Sequence, residues 1–146
     1  KMTEVEKFLS ATDEAAIVDA IKNAEKNTSG EIRVHIEKET SIATIDRAVE
    51  VFHLLEMTKT KDRNGVLIYV AVDSKKFAIY GDQGINEKVE TTFWDTTKNI
   101  MQNHFKTGNN KQAFIDGITE AGNQLKKHFP YQTDDIDELP NEISKG

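Results

Sequence analysis

The sequence contains no cysteine and only two prolines among its 146 residues. The absence of cysteine excludes disulfides, thiolate metal ligands, iron–sulfur clusters and cysteine nucleophiles together. No apolar run approaches the roughly 20 residues that a membrane-spanning helix needs. The polar first residues, 1–7, lack the apolar centre of a signal peptide. We therefore expect a soluble, cytoplasmic protein without a membrane partner.

A basic stripe is also absent, although the net charge of -6 is unevenly distributed. Residues 131–146 contain five acidic side chains and one lysine, so the preceding part of the chain is near neutral. This pattern excludes nucleic-acid binding as a main function. The length and the 37% hydrophobic content predict a single, monomeric domain over residues 1–146, with a core at about 3–130 and an acidic tail at 131–146.

Apolar residues recur at helical spacing in four segments, and we predict helices within residues 12–27, 44–57, 93–105 and 114–125. Strict alternation over residues 32–37 predicts a strand with one polar face, near an edge of a sheet. The segment Val66–Val72 is apolar on both faces, which is typical of a central strand covered by helices on each side. Pro130 closes the last helix, and we expect a short edge strand around residues 141–144.

A polar turn at residues 73–76 is short enough to return the chain as an antiparallel hairpin into residues 77–80. The order strand, helix, strand before it forms a parallel crossover unit. Together these elements predict an α/β fold, namely a three-layer α/β/α sandwich with a small mixed central sheet flanked by helices.

Chain direction through these elements brings several polar loops to one end of the sheet. The central strand begins at this end, the hairpin returns residues 81–84 to it, and the last helix returns the acidic tail. Carboxylates at close range repel and need a cation, and Ca²⁺ or Mg²⁺ prefers oxygen ligands. We therefore predict a Ca²⁺ or Mg²⁺ site. The predicted ligands are Asp62, Asn64, Asp82, Asp134, Asp135 and Asp137. The competing interpretation is a solvated acidic tail, with Asp82 a simple turn residue.

Other motifs in the chain carry little chemistry. The pair Asp135 and Asp137 has the spacing of an aspartyl-phosphate phosphatase motif but does not follow a buried strand. The pair Gly81 and Gly84 follows a hairpin strand and lacks the third glycine of a dinucleotide-binding loop. The four histidines have no partner at metal-ligand spacing. The sequence therefore identifies no catalytic residue and no organic cofactor.

Three segments of the chain resemble the TPM domain family, which is named for thylakoid, photosystem II repair and acetylcholine-receptor-associated members. They begin with Ser29-Gly30-Glu31-Ile32-Arg33-Val34, continue with residues 63–73 around Arg63-Asn64-Gly65, and end with residues 75–85 around Gly81-Asp82-Gln83-Gly84. The resemblance extends to about Phe129 and implies an α/β/α sandwich with a mixed sheet. Members are associated with weak acid phosphatase activity, repair of photosynthetic complexes, receptor modulation and divalent-metal binding, so the resemblance does not imply one reaction.

Three features distinguish this chain from many family members. Many are exported and followed by a membrane helix, whereas this chain resembles a stand-alone soluble version. It also carries an acidic tail. In addition, its glycine loop, residues 81–84, contains Asp82 where the loop of many relatives has the sequence Gly-x-Gly. Our first hypothesis is therefore a divalent-cation-binding module with a regulatory or protein-partner-binding role. The alternatives are a weak metal-assisted acid phosphatase, in which the ion would activate water, and a passive interaction domain without metal.

Overall fold

The structure, a computed structural model, describes residues 2–133 and 136–146. Within these ranges the helices are α1 Glu4–Phe8, α2 Ala11–Glu25, α3 Thr44–Leu54, α4 Gln83–Asn86, α5 Asp95–Lys106 and α6 Asn110–Lys126. The strands are β1 Glu31–Glu37, β2 Gly65–Ala71, β3 Lys76–Gly81 and β4 Ser144–Lys145. None of the described helices is long and apolar enough to cross a membrane.

The four strands form one mixed sheet in the order β3-β2-β1-β4. β1 and β2 are parallel, with Glu31 opposite Gly65, and the hairpin makes β3 antiparallel to β2. β4 is parallel to β1, with Ser144 opposite His35. The predicted α/β fold and its central hairpin are therefore confirmed.

Helices cover both faces of the sheet, because side chains alternate between the faces along each strand. One face of β1 and β2 packs against α2, α5 and α6, and Phe114 and Ile118 of α6 are fully buried there. The other face packs against α3, through side chains such as Phe52 and Tyr69. These two apolar clusters are the two cores of the sandwich.

The polar face predicted for β1 is not exposed to solvent. All seven residues of β1 are buried, including Arg33, His35 and Glu37. Burial occurs because the C-terminal segment, residues 136–146, runs along β1, where Leu139 joins the α3-side core and Ser144 pairs opposite His35. The short edge strand expected around residues 141–144 is present at Ser144–Lys145.

Two helices lie outside the predicted set. α1 begins with a capping box in which Thr3 and Glu6 exchange side-chain-to-backbone hydrogen bonds. α4 is a single turn that begins directly after β3, and Asp82 is its N-cap. Both are too short for a periodic apolar pattern to reveal them.

Candidate metal centre

Three carboxylates converge where α2 ends and β1 begins. Glu25 is the last residue of α2, Glu31 is the first residue of β1, and Asp137 belongs to the C-terminal segment. One carboxylate oxygen from each lies within 4.8 Å of the others. The connection between α2 and β1 is only five residues long, residues 26–30, and this short turn brings Glu25 and Glu31 together.

Backbone N–H groups orient two of these carboxylates. The N–H of Ile32 donates to Glu25 Oε2 at 2.9 Å. The N–H groups of Glu138 and Leu139 donate to the carboxylate of Glu31, that of Glu138 at 2.9 Å. The bonds to Glu31 also hold the C-terminal segment against the start of β1, because their donors lie more than 100 positions from Glu31 in the sequence.

The electrostatics of the cluster disfavour three simultaneous negative charges. Burial raises the pKa of Glu25 to about 8, the N–H of Ile32 opposes the shift, and the charge of Asp137 adds to it. Burial likewise raises the pKa of Glu31, against the two N–H donors from the C-terminal segment and with repulsion from Glu25 and Asp137. A cation placed between the three carboxylates would remove this repulsion.

The cluster opens into a cavity of about 520 Å³. Its lining includes Lys22 of α2, Lys26 directly after that helix, and the exposed side chains of Tyr131 and Ile136. Asn141 also lines it, donating from Nδ2 to Asp137 at 3.1 Å, while its buried Oδ1 has no hydrogen-bond partner among the described residues. The cavity is therefore lined by carboxylate oxygens and by two lysine side chains.

The predicted ligand Asp82 lies in a different environment. Arg63 binds its carboxylate with two hydrogen bonds, of 2.7 and 2.9 Å, and the N–H of Gln83 donates to it at 2.7 Å. Asp82 is only 3% exposed, so its oxygens face these partners and not solvent. The arrangement is that of a helix cap with a bidentate arginine pair.

The adjoining glycine loop, residues 81–84, is held in place by close backbone contacts. The N–H of Gly84 donates to the carbonyl of Arg63 at 2.9 Å. A Cβ atom at position 84 would lie 2.1 Å from the carbonyl oxygen of Asp62, a distance that no side chain tolerates. Arg63 has a positive φ of 50°, which is a strained backbone conformation for this residue type. The hydrogen bond from Gly84 helps to hold Arg63 in that conformation. Gly84 is therefore required for packing.

The other predicted ligands have separate positions. Asn64 is 1% exposed and donates from Nδ2 to Ser29 Oγ at 3.3 Å, while its buried Oδ1 has no hydrogen-bond partner in the part of the chain that the structure describes. Asp62 lines a neighbouring cavity of about 390 Å³ that also contains Ser29, Lys88 and His128. Asp134 and Asp135 lie outside the described residues. Of the six predicted ligands, Asp137 is the one that the described residues place in the carboxylate cluster.

Sequence reasoning missed Glu25 and Glu31, although both carried a signal. Glu25 ends a helix, where the helix dipole disfavours a negative charge, so an acid there is locally unfavourable. Glu31 opens a strand that is buried on both faces. Two acids in locally unfavourable positions, with five residues between them in a turn, indicate that something other than stability selected them.

This protein is an α/β sandwich with a carboxylate cluster at one end of its sheet. A model of the TPM domain matches residues 2–124 of the chain. The chain therefore belongs to the TPM domain family, as the three sequence segments indicated.

Two solved structures are similar to this chain. The NMR structure of the BA42 protein from the psychrophilic bacterium Bizionia argentinensis is 62% identical, with a TM-score of 0.92, and the match covers 99% of this chain and 100% of that one. The N-terminal domain of a protein from P. gingivalis, also solved by NMR, is 16% identical with a TM-score of 0.69, covering 84% and 79%. The second likeness shows the fold alone. No curated protein gives a significant match.

Proposed function

We propose that this TPM domain binds a divalent cation, Ca²⁺ or Mg²⁺, at Glu25, Glu31 and Asp137. The observation that carries the proposal is the approach of three carboxylate oxygens to within 4.8 Å of one another in the lining of an open cavity. Hard cations take oxygen ligands, and Ca²⁺ accepts six to eight of them in flexible geometry. The side-chain oxygen of Asn141 and water from the cavity supply further ligands of the right kind.

The binding of a cation would join three parts of the chain. α2, β1 and the C-terminal segment contribute one carboxylate each, and the C-terminal contribution is separated from the others by more than 100 residues. An ion at this point therefore holds the C-terminal segment against the sheet and orders one end of the molecule. The ion would then control how the C-terminal segment lies on the surface. This control is the basis for a regulatory or partner-binding role.

Calorimetric titration of metal-stripped protein with Ca²⁺ and with Mg²⁺ tests this function. We expect saturable binding to the native chain and a loss of at least about tenfold in affinity on Asp137→Asn, because one anionic ligand is removed. Asp19→Asn, an exposed acid on α2, is the matched control and should bind as the native chain does. Equal affinity of both variants would assign the cation to another place.

A second candidate function is weak metal-assisted phosphatase activity. The observation that favours it is that Lys22 and Lys26 line the same cavity, where they would attract a phosphate group toward the ion. The ion would polarise the phosphoryl group and activate water. Hydrolysis of a generic phosphomonoester should then stop with a chelator and with Glu31→Gln. Activity that survives both changes would belong to a contaminant.

A further inference from the structure

The C-terminal segment, residues 136–146, lies along the edge of β1 and completes the sheet. Its buried anchor is Leu139, which is 6% exposed and packs in the α3-side core with Met57 and Leu67. Its strand, β4, is two residues long, whereas β1 is seven residues long. Beyond β4, the N–H of Gly146 donates to the carbonyl of Ile36 at 2.9 Å. Much of the edge of β1 is therefore covered without a regular ladder.

The contacts along β1 recognise an extended backbone more than a particular sequence. The Glu31 carboxylate accepts two successive backbone N–H groups, those of Glu138 and Leu139. At the other end of the strand, Nδ1 of His35 lies 2.9 Å from the hydroxyl of Ser144. A peptide with an apolar residue and, five positions later, a hydroxyl could make these contacts to β1, as in strand addition at a sheet edge. The resident segment makes two further side-chain contacts, since Ile143 packs against the α2-side core and Lys145 Nζ lies 2.9 Å from Glu14.

One polar group in this seam is not satisfied by the chain's own segment. Arg33 is 9% exposed, and among the described residues its buried Nε has no hydrogen-bond partner. Continuing the parallel register by two residues from His35 and Ser144 places Glu142 opposite Arg33. Glu142 acts on Arg33 electrostatically, but among the described residues no ion pair joins them within 4.0 Å. A buried N–H donor without an acceptor is costly, so an occupant that places an acceptor at Nε would be favoured.

We propose that the edge of β1 is a peptide-binding site, occupied by residues 136–146 in exchange with an acidic, extended segment of a protein partner. The partner strand adds parallel to β1, places an apolar side chain in the pocket of Leu139, and bonds an acidic side chain to Arg33. A second copy of this chain fits less well as the partner. Its C-terminal segment carries the same Glu142, which forms no ion pair with Arg33 in the resident segment.

The test uses the full chain, labelled with ¹⁵N and kept in chelator, so that it does not depend on cation binding. Three synthetic peptides carry the sequence of residues 136–146 with glutamate, phosphoserine or glutamine at position 142. We expect affinity to fall in the order phosphoserine, glutamate, glutamine, by at least about tenfold overall, because each step removes negative charge that attracts the Arg33 guanidinium. On Arg33→Gln the three peptides should bind alike. Glutamate and phosphoserine arms also distinguish a carboxylate from a phosphate as the preferred acid.

Competition with the chain's own segment gives a second measurement. Leu139→Ala weakens the resident anchor, so added peptide should bind about tenfold more tightly than to the native chain. The amide signals of Ser144, Lys145 and Gly146 should move to those of a released segment as the peptide saturates. Ile136→Ala, at a side chain that is 79% exposed, is the matched control and should leave the affinity unchanged.

Three results would overturn the proposal. The first is the absence of saturable shifts at millimolar peptide in both the native chain and Leu139→Ala. The second is an affinity that ignores the residue at position 142. The third is a dimer of Leu139→Ala in size-exclusion chromatography, since this would assign the seam to a second copy of the chain.

Discussion

Glu25→Gln should stabilise the protein while it weakens cation binding. Folding raises the pKa of this carboxyl from 4.5 to about 8, chiefly through burial. At pH 7 the unfolded chain ionises Glu25, whereas the folded chain keeps it mostly protonated, and this difference disfavours folding. Glutamine is neutral in both states and retains an oxygen that can accept the N–H of Ile32.

The size of the effect follows from the same shift. The part of the shift that lies between pH 4.5 and pH 7 sets an upper limit of about 3 kcal/mol on the stabilisation, at about 1.4 kcal/mol per pKa unit. Glu25 is partly exposed, so solvent screening reduces the expected gain to about 1–2 kcal/mol. For a chain of this length, that corresponds to a rise of about 2–8 °C in Tm.

Thermal unfolding of metal-stripped protein at pH 7, followed by circular dichroism, measures this gain. In a second set of scans, Ca²⁺ at a hundred times its Kd should stabilise the native chain by about 3 kcal/mol and the variant much less. Asp19→Asn on the same helix is the control for a lost negative charge and should change neither result. A variant that is less stable without cation, or that responds to Ca²⁺ as the native chain does, would refute the reasoning.

Three further predictions concern the neighbouring structure. Gly84→Ala should destabilise the protein by about 2–4 kcal/mol in urea unfolding, because the new Cβ would clash with backbone carbonyls, whereas Gly81→Ala meets ordinary contacts only and should cost much less. Asp82→Asn should lower stability by about 1–3 kcal/mol through the weakened arginine pair, and calorimetry should show unchanged Ca²⁺ affinity if Asp82 acts as a helix cap. Hydrogen bonds from Arg47, Tyr69 and His35 outweigh burial and lower the pKa of Glu37 to about 2, so its contribution to stability is complete above pH 4.5 and lost as the pH falls toward 2; Glu37→Gln should flatten this part of the stability curve, and an unchanged curve would contradict the assignment.

The central hairpin could be predicted because local rules and tertiary structure agree there. Residues 66–72 are apolar on both faces, and the turn after them is short, so no distant contact was needed to assign β2 and β3. Which face of β1 is exposed to solvent could not be predicted in this way. Its alternating Arg33, His35 and Glu37 indicate a solvated face, but a segment more than 100 residues away covers them.

The candidate metal site shows the same limit of prediction from sequence. Chain direction correctly indicated that the glycine loop and the start of the central strand meet at one end, since the N–H of Asp82 donates to the carbonyl of Gly65. It could not show that Arg63 lies close enough to bind both oxygens of Asp82, because the two residues are 19 positions apart in the sequence. Nor did element order distinguish Glu25 and Glu31 from surface acids, since their proximity arises from a five-residue turn.

Residue-resolved NMR titration of metal-stripped protein with Ca²⁺ and Mg²⁺ tests the cation site most directly. We predict saturable shifts at the amides of Glu25, Glu31, Ile32, Glu138 and Leu139, because these groups form or touch the carboxylate cluster. Shifts centred on Asp82 and Asp62, or no shifts at millimolar ion, would contradict a cation held by Glu25, Glu31 and Asp137.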